Sequence, residues 1–246
     1  MNFFRSKRIM IIMISIISLF FLSSVYAGNI EKDFESGVED ISMRIYEIDG
    51  REMFQLRDLA ESKGWTLAYL EERKEVVIRG NDKFVRLSLN GASDKPVTLA
   101  ESPKLIEGRT YLAINSLRTL LDELNESIDY ISSLYTEKSY YSMSELINAH
   151  IRFYNLSDEA INLSFGSGQR YDLTLEKEGL EVWRWSNDKF FTMALADIEV
   201  APGKSLDYNV EIDYEFEDIG EYILTANLAT INTPIKFNEV ELVIEK

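Results

Sequence analysis

Cysteine is absent from the sequence, and that absence excludes several kinds of chemistry. Without thiols the chain has no disulfide, no cysteine nucleophile, no thiolate metal ligand and no cysteine for a lipid anchor. Its folded domains must therefore be stabilised without disulfides, chiefly by the burial of apolar side chains. A length of 246 residues favours two modest domains over one.

Histidine is almost absent as well, since His150 is the only one. A serine hydrolase normally needs a histidine base beside its nucleophile, and the chain has no Gly-x-Ser-x-Gly elbow. We expect His150 at the edge of the first strand of the second half, where a solvated histidine is favoured over a catalytic one. Glycine-rich phosphate loops and recognisable pairs of catalytic carboxylates are also missing. The sequence therefore predicts a protein that is not an enzyme, with no catalytic and no cofactor-binding residue.

Basic residues are scarce, with 26 Lys and Arg against 42 Asp and Glu and a net charge of −16. Such a surface repels nucleic acid and anionic lipid headgroups, so neither is an expected partner. The acidic run from Asp213 to Asp218 could supply oxygen ligands to calcium. Because Tyr214 and Phe216 alternate with its carboxylates, a solvated sheet face is favoured instead, and no metal site is predicted.

One long apolar run is present, from Ile9 to Leu22, directly after the basic opening MNFFRSKR. This order is typical of a secretory signal peptide, and small residues precede the cleavage position. We predict a signal peptide over residues 1–27, cleaved between Ala27 and Gly28. An uncleaved anchor is the alternative, but the run is shorter than the ~20 residues of a spanning helix. The mature protein is expected to be secreted or associated with the cell envelope, without a membrane partner.

The first half of the mature chain is expected to form an α+β domain over residues 42–145, after a flexible lead-in over residues 28–41. Two stretches with superposable apolar positions, REMFQLRDLAESKGW from Arg51 and RTYLAINSLRTLLDEL from Arg109, predict two similar strand-helix-strand halves. Gly64 is expected to end the first helix in a left-handed cap. Alternating strands are predicted in KEVVIRG, KFVRLSLNG and PVTLAESPKLI.

Three of these motifs, RDLAESKGW, KEVVIRG and LIEGRTYLAINSL, resemble the copper amine oxidase N-terminal-like domain. This stalk domain is common in exported proteins of Gram-positive bacteria. In the oxidases copper is held by several histidines of a separate catalytic domain, and one imidazole cannot build that site. The resemblance therefore implies a stalk and no copper.

The second half, residues 146–246, has almost no helical periodicity. Short alternating segments such as Ile161–Phe165, Tyr171–Leu175 and Leu206–Ile212 are separated by turns that contain glycine or proline. Strands at this spacing predict an all-β antiparallel sandwich.

An ordered set of motifs in this half resembles the BsuPI family of intracellular proteinase inhibitors. The motifs are Asn155, LSF ending at Phe165, SGQRYD ending at Asp172, VWRWS ending at Ser186, Phe191, Pro202-Gly203 and GEY ending at Tyr222. The resemblance implies an immunoglobulin-like sandwich and serine proteases as targets. The family is named for an intracellular inhibitor, whereas the leader predicts export. The expected partner is therefore an extracytoplasmic serine protease.

Two tryptophans, Trp183 and Trp185, lie on one face of a predicted strand because they are two residues apart. An outward face could stack on sugars or contact a protein. An inward face is favoured because a domain without cysteine depends on burying its largest side chains, at ~25 cal/mol per Å². The predicted core residues are Trp183, Trp185, Phe191 and Tyr222.

The leading functional hypothesis is an exported, non-catalytic binding protein that inhibits a serine proteinase through loops of the sandwich. One alternative is a structural or adhesive module of the cell envelope, bound to wall polymer or protein and without inhibitory activity. A further alternative is a carbohydrate-binding module that uses the tryptophans. The candidate contact loops comprise Gly166, Ser167, Gly168, Gln169 and Arg170, and Asn187, Asp188 and Lys189.

Overall fold

The structure is a computed structural model that describes residues 40–89, 97 and 99–246. These residues fall within one compact unit. The predicted signal peptide, its cleavage between Ala27 and Gly28, and the predicted lead-in up to residue 39 lie outside the described residues. Within the described ranges, no helix combines the length and the apolar character needed to cross a membrane.

The N-terminal portion combines short strands with two short helices. Its strands are β1 (Asp40–Ser42), β2 (Ile45–Ile48), β3 (Arg51–Gln55), β4 (Thr66–Leu70), β5 (Glu75–Gly80), β6 (Lys83–Ser88), β7 (Lys104–Ile106) and β8 (Arg109–Ala113). Helix α1 (Leu56–Lys63) follows β3, and helix α2 (Leu117–Leu124) follows β8 after a 3₁₀ turn. Of the strand predicted from Pro96 onwards, only β7 is extended and paired among the described residues.

The repeat in the sequence corresponds to two neighbouring strands. One antiparallel sheet has the order β2, β3, β8, β7, and a second has the order β4, β5, β6. Phe54 of β3 pairs directly with Leu112 of β8, and these are two of the positions that superpose in the sequence repeat. Both side chains are buried in a core that also receives one face of each helix. The repeated apolar positions thus contribute to a single shared core.

Both helices end in a left-handed residue. Gly64 has a φ of 67°, as its position predicted, and the following N–H, of Trp65, donates to the Ala60 carbonyl at 2.7 Å. Asn125 ends α2 with a φ of 54°, a conformation that asparagine tolerates better than most residues.

The motifs KGW and VIRG meet in space, because the Trp65 indole lies against the backbone of Gly80. A Cβ on Gly80 would overlap the indole ring. Trp65 is buried in the same core as Val76 and Ile78 of β5, so the ring has little freedom to move away. Glycine is therefore required at residue 80 by close packing.

We expect Gly80→Ala to lower the free energy of unfolding by about 1–3 kcal/mol, the range for overpacking a filled core. Urea unfolding followed by circular dichroism measures it. Gly166→Ala is the matched control, because there a new Cβ would meet only the Cγ2 methyl of the exposed Ile231 side chain, at 3.2 Å. Combining Gly80→Ala with Trp65→Val should cost less than the sum of the two changes. Full additivity would contradict the packing explanation.

The C-terminal portion is a β-sandwich. Its strands are β9 (Tyr130–Thr136), β10 (Tyr140–Ser142), β11 (Asn148–Asn155), β12 (Ile161–Phe165), β13 (Tyr171–Lys177), β14 (Leu180–Arg184), β15 (Ala196–Val200), β16 (Ser205–Glu211), β17 (Gly220–Leu228) and β18 (Val240–Glu245). One sheet has the order β1, β9, β11, β16, and the other has the order β10, β18, β17, β13, β14. Strands β12 and β15 form a separate ribbon. Alternate residues of both sheets fill one apolar core.

The sandwich begins before the boundary predicted between residues 145 and 146. Strand β9 lies within the predicted first domain, but it pairs with β11 and therefore belongs to the sandwich. Tyr130 and Leu134 enter the sandwich core, whereas Ile131 on the opposite face enters the N-terminal core. With both faces covered, β9 lacks the alternation that marks a half-exposed strand.

Strand β1 likewise corrects the predicted lead-in, which extended to residue 41. Asp40 pairs with Tyr130 in a parallel register, and Ile41 is buried in the N-terminal core. Strand β1 therefore includes the last two residues of the segment predicted to be flexible.

Candidate functional site

The two tryptophans lie at the edge of the sandwich. Strand β14 pairs only with β13, where Trp183 lies opposite Leu175 and the Trp185 N–H donates to the Leu173 carbonyl at 2.9 Å. Both indoles pack against the core from its rim and are half-buried, as is Phe191. Tyr222, in the interior strand β17, is only 1% exposed. The difference arises because an edge strand has a neighbour on one side only.

Trp185 is the centre of a set of contacting rings, here called the aromatic cluster: Tyr171, Trp185, Phe191 and Tyr208. The ring centroids are 4.4 Å apart for Tyr171 and Trp185, and 5.9 Å apart for Trp185 and Phe191. The Lys189 ammonium lies over the Trp185 ring, 4.5 Å from its centroid. Contacts of this kind cover the indole that a sugar-stacking platform would have to expose.

A buried carboxylate fixes the turn after β14. Asp172 is 7% exposed and accepts hydrogen bonds from the Ser186 N–H at 3.1 Å and the Ser186 hydroxyl at 2.7 Å. It also accepts a bond from Arg184 at 3.3 Å. Hydrogen bonds to an ionised acceptor are among the stronger ones in proteins. These contacts explain why the motif ending in Asp172 accompanies the motif ending in Ser186.

The first candidate loop, Gly166 to Arg170, is held by its own hydrogen bonds. The Gln169 N–H donates to the Ser167 hydroxyl at 3.1 Å, and the Arg170 guanidinium donates to the Ser167 carbonyl at 2.6 Å. The same guanidinium lies over the Phe165 ring, 4.7 Å from its centroid. The loop is half-buried throughout and has a defined shape.

One backbone contact joins the first candidate loop to Thr192, three residues beyond the second candidate loop. The Gly168 N–H donates to the Thr192 carbonyl at 2.8 Å. A side chain at residue 168 would place its Cβ 2.7 Å from Thr192 Oγ1, so glycine permits this close approach. Loops that are separate in the sequence thus form one continuous surface.

The second loop extends further than the sequence indicated. Asn187, Asp188 and Lys189 are exposed as expected, but the irregular chain continues to β15. In what we call the presented segment, residues 190–195, Phe190 is 103% exposed, Met193 96% and Leu195 79%. Exposed apolar side chains in such a group mark interaction sites. In the sequence this segment reads FFTMAL, and its apolar residues do not alternate with polar ones as they would in a half-buried strand. That missing alternation was the sign that the segment is irregular.

With this surface described, its relationship to known families can be stated. Residues 134–233 match the BsuPI family, described as intracellular proteinase inhibitor. Residues 37–133 match the copper amine oxidase N-terminal domain. Both resemblances drawn from the sequence are confirmed. The BsuPI match begins within β9, in agreement with a sandwich that starts before residue 146.

Similar solved structures share little sequence with this chain. Spo0M, a sporulation control protein from Bacillus subtilis, is 14% identical, with 48% of this chain and 50% of Spo0M covered and a TM-score of 0.32. The chain therefore spans about half the length of Spo0M. The C-terminal domain of wzt is 12% identical, with 48% and 72% covered and a TM-score of 0.32. The CARDB domain of PF1109 from Pyrococcus furiosus is 11% identical, with 47% and 94% covered and a TM-score of 0.29. A comparison with curated proteins gave no match.

His150 lies near the start of β11, next to the connection from the preceding strand, as the sequence placed it. Strand β11 is an interior strand between β9 and β16, and His150 is half-buried where a solvated side chain was expected. Its ring stacks on Tyr135 of β9 with a centroid distance of 4.7 Å. Burial lowers the pKa of His150 below its ordinary value, so the neutral ring is favoured. These contacts fit a packed residue on a sheet face.

Beside His150, Arg152 connects the BsuPI region to the N-terminal portion. Its guanidinium forms ion pairs with Asp207 of β16 and with Glu52 of β3. Burial lowers the pKa of Arg152, but the two carboxylates outweigh burial and raise it. This charged bridge joins the two halves of the chain within the compact unit.

The acidic run is not the sheet face that was predicted. Residues 212–219 are an irregular connection between β16 and β17, with the carboxylates exposed. Tyr214 and Phe216 turn inward against Tyr222, whose hydroxyl donates to the Asp218 carbonyl at 2.9 Å. The burial of two aromatic rings sets this conformation. Across the described part of the chain, no cluster of three or more ligand side chains is arranged to hold a metal ion.

Proposed function

We propose that the protein is an exported, non-catalytic inhibitor of an extracytoplasmic serine proteinase, and that the loops of its sandwich contact the enzyme. The observation that carries this proposal is the hydrogen bond from Gly168 to Thr192, which joins the first candidate loop to the exposed apolar segment that continues the second. The description of the matched family supplies the type of target. The matched family is named for an intracellular inhibitor, so it does not support export. The support for export is the predicted signal peptide.

A fixed loop is suited to inhibition because binding then orders few groups. Free loops lose conformational freedom when they enter an enzyme cleft, and that loss lowers affinity. Here Asp172 fixes the turn at Ser186, and the aromatic cluster holds Phe191. Backbone pairing with the cleft would supply affinity, and the exposed side chains would supply selectivity.

We further infer that the sandwich is immunoglobulin-like. The order β10, β18, β17, β13, β14 opposite β9, β11, β16 supports this topology. The hydrogen bond from the Tyr222 hydroxyl to a carbonyl four residues upstream supports it too, because it resembles the tyrosine corner of such domains. In such a fold, loops at one end of a rigid framework can be presented together.

We infer for the N-terminal portion two similar strand-helix-strand halves and a spacer role. The direct pairing of Phe54 with Leu112 supports the first inference, and the match to a stalk-like family supports the second. The Arg152 bridge to Glu52 would hold the inhibitory sandwich in a fixed relation to this spacer.

The experiment mixes the purified protein with subtilisin-type and chymotrypsin-type proteases and measures residual hydrolysis of a small peptide substrate. We expect stoichiometric loss of activity while the protein stays intact on a gel, because a fixed loop is a poor substrate. A Gly168→Val variant should inhibit less, since its side chain would collide with Thr192. Undiminished protease activity together with prompt digestion of the wild-type protein would refute the inhibitor proposal.

The alternative function is a structural or adhesive module of the cell envelope. The match of the N-terminal portion to a stalk-like domain favours it, because a spacer is useful to any surface-bound module. Binding to purified cell-wall material with no effect on proteases would support this alternative.

A further inference from the structure

Phe190 is fully exposed to solvent. The residue is 103% accessible, although the chain has no cysteine and therefore no disulfide to add to apolar burial. A large apolar side chain that stays in water contributes no burial free energy to folding. Phe190 is exposed on the same segment as Met193 and Leu195, and a group of exposed apolar side chains marks an interaction site.

The chain is fixed on both sides of Phe190. Before it, the Lys189 N–H donates to the Ser186 carbonyl at 3.1 Å, and the Lys189 side chain lies over Trp185. After it, Phe191 packs on the same indole, and the Thr192 carbonyl accepts the bond from Gly168. The side chain of Phe190 thus projects from a backbone whose neighbours are attached to the sandwich.

We infer that Phe190 determines specificity, entering the primary pocket of the target, and that the target is a serine protease whose primary pocket is deep and apolar. This inference rests on the proposed inhibitory function. Proteases of the trypsin type carry a carboxylate in that pocket and require a cation, whereas those of the chymotrypsin type have an apolar slot that accepts a phenyl ring. Met193 and Leu195, exposed on the same segment, would contact the adjoining surface.

Phe190 is a better candidate for the pocket than its exposed neighbours. Met193 and Leu195 belong to a run of four exposed residues, 192–195. Within that run, the described backbone contact to the rest of the sandwich is the hydrogen bond that Thr192 accepts from Gly168. Phe190 alone lies between two residues that both contact Trp185. A single anchored side chain of this kind is the typical centre of a protein interface.

The test compares inhibition constants of wild type, Phe190→Ala and Phe190→Arg against chymotrypsin-type and trypsin-type proteases. We expect wild type to inhibit the chymotrypsin-type enzyme and Phe190→Ala to lose about 100-fold in affinity, as for truncation of a central contact. Phe190→Arg should lose that inhibition and gain inhibition of the trypsin-type enzyme. Phe84 is 64% exposed on the N-terminal portion, and Phe84→Ala and Phe84→Arg are the matched controls.

The outcomes separate this inference from the proposed function. If wild type inhibits and all Phe190 variants inhibit equally, the inference is overturned and the inhibitory function stands. Inhibition of only the trypsin-type enzyme by wild type would also overturn it. If wild type inhibits neither class and also fails against the subtilisin-type protease, the proposed function fails and the inference fails with it. The variants should unfold at the same urea concentration as wild type, because Phe190 is fully exposed. Equal stability would show that any lost inhibition does not result from a loss of folding.

Discussion

Asp172→Ala is expected to lower the free energy of unfolding by about 3 kcal/mol, because it removes a buried acceptor of several hydrogen bonds. The Ser186 N–H and hydroxyl would lose their partner in a part-buried position. The ion pair with Arg184 adds less, since the arginine side chain is 35% exposed and screened by water. The expected loss therefore comes mainly from unsatisfied hydrogen-bonding groups.

Urea unfolding followed by tryptophan fluorescence measures this loss, and Asp188→Ala is the matched control. Asp188 lies in the same turn but is exposed, so its removal should change the free energy by no more than about 0.5 kcal/mol. Asp172→Asn keeps one acceptor oxygen and should fall between the two. Equal stability of Asp172→Ala and Asp188→Ala would show that the carboxylate does not hold the turn.

The same substitution connects stability to the proposed function. Without Asp172, the turn at Ser186 is released from β13, and Trp185 loses part of the support that positions Lys189 and Phe191. A more mobile loop pays a larger entropic cost on binding. Inhibition by the folded fraction of Asp172→Ala should therefore be weaker than inhibition by Asp188→Ala.

The strands of the sandwich could be predicted because their inward positions alternate strictly. Leu163 and Phe165, Leu173 and Leu175, and Val210 are all buried, each flanked by more exposed or polar residues. Two-residue periodicity is a local property, so it can be read from sequence without knowledge of partners. The left-handed cap at Gly64 was predictable for the same reason.

Strand β9 could not be predicted from this signal. Its sequence YISSLYT has both faces buried, and Ser132 and Ser133 occupy interior positions where their hydroxyls bond to Lys236 and Ile45 of distant segments. Alternation disappears when both faces are covered. The placement of such a strand depends on contacts over about 100 residues of chain, which local patterns do not contain.

The candidate loops were recognisable one at a time, from glycine, asparagine and aspartate in turn positions. Their meeting was not, because the hydrogen bond from Gly168 to Thr192 depends on how β13, β14 and β15 are arranged. The presented segment was missed because apolar residues in an irregular segment resemble a buried strand in composition. Only their exposure in the fold identifies Phe190 and Met193 as a surface.

Asn155 is fully buried at a corner of the sandwich, and its amide joins three segments. The side-chain NH₂ donates to the carbonyls of Glu159 at 2.7 Å and Val200 at 2.8 Å, and its oxygen accepts the Ser157 N–H at 2.9 Å. The backbone carbonyl of Asn155 accepts the Gly203 N–H at 2.9 Å. This explains why Asn155 and the Pro202-Gly203 turn occur together in the motif set.

Asn155→Asp is expected to lower the free energy of unfolding by about 3–5 kcal/mol, the range for an uncompensated buried charge. The change replaces two donors by an acceptor that faces two carbonyl oxygens, so attraction becomes repulsion while the shape stays almost the same. Asn162→Asp is the matched control, because Asn162 is exposed on β12 and the same chemical change there should cost less than about 0.5 kcal/mol. Urea unfolding of both variants decides the matter. Comparable stability of the two would mean that the corner is held by its backbone bonds alone, and that the asparagine in the motif set needs another explanation.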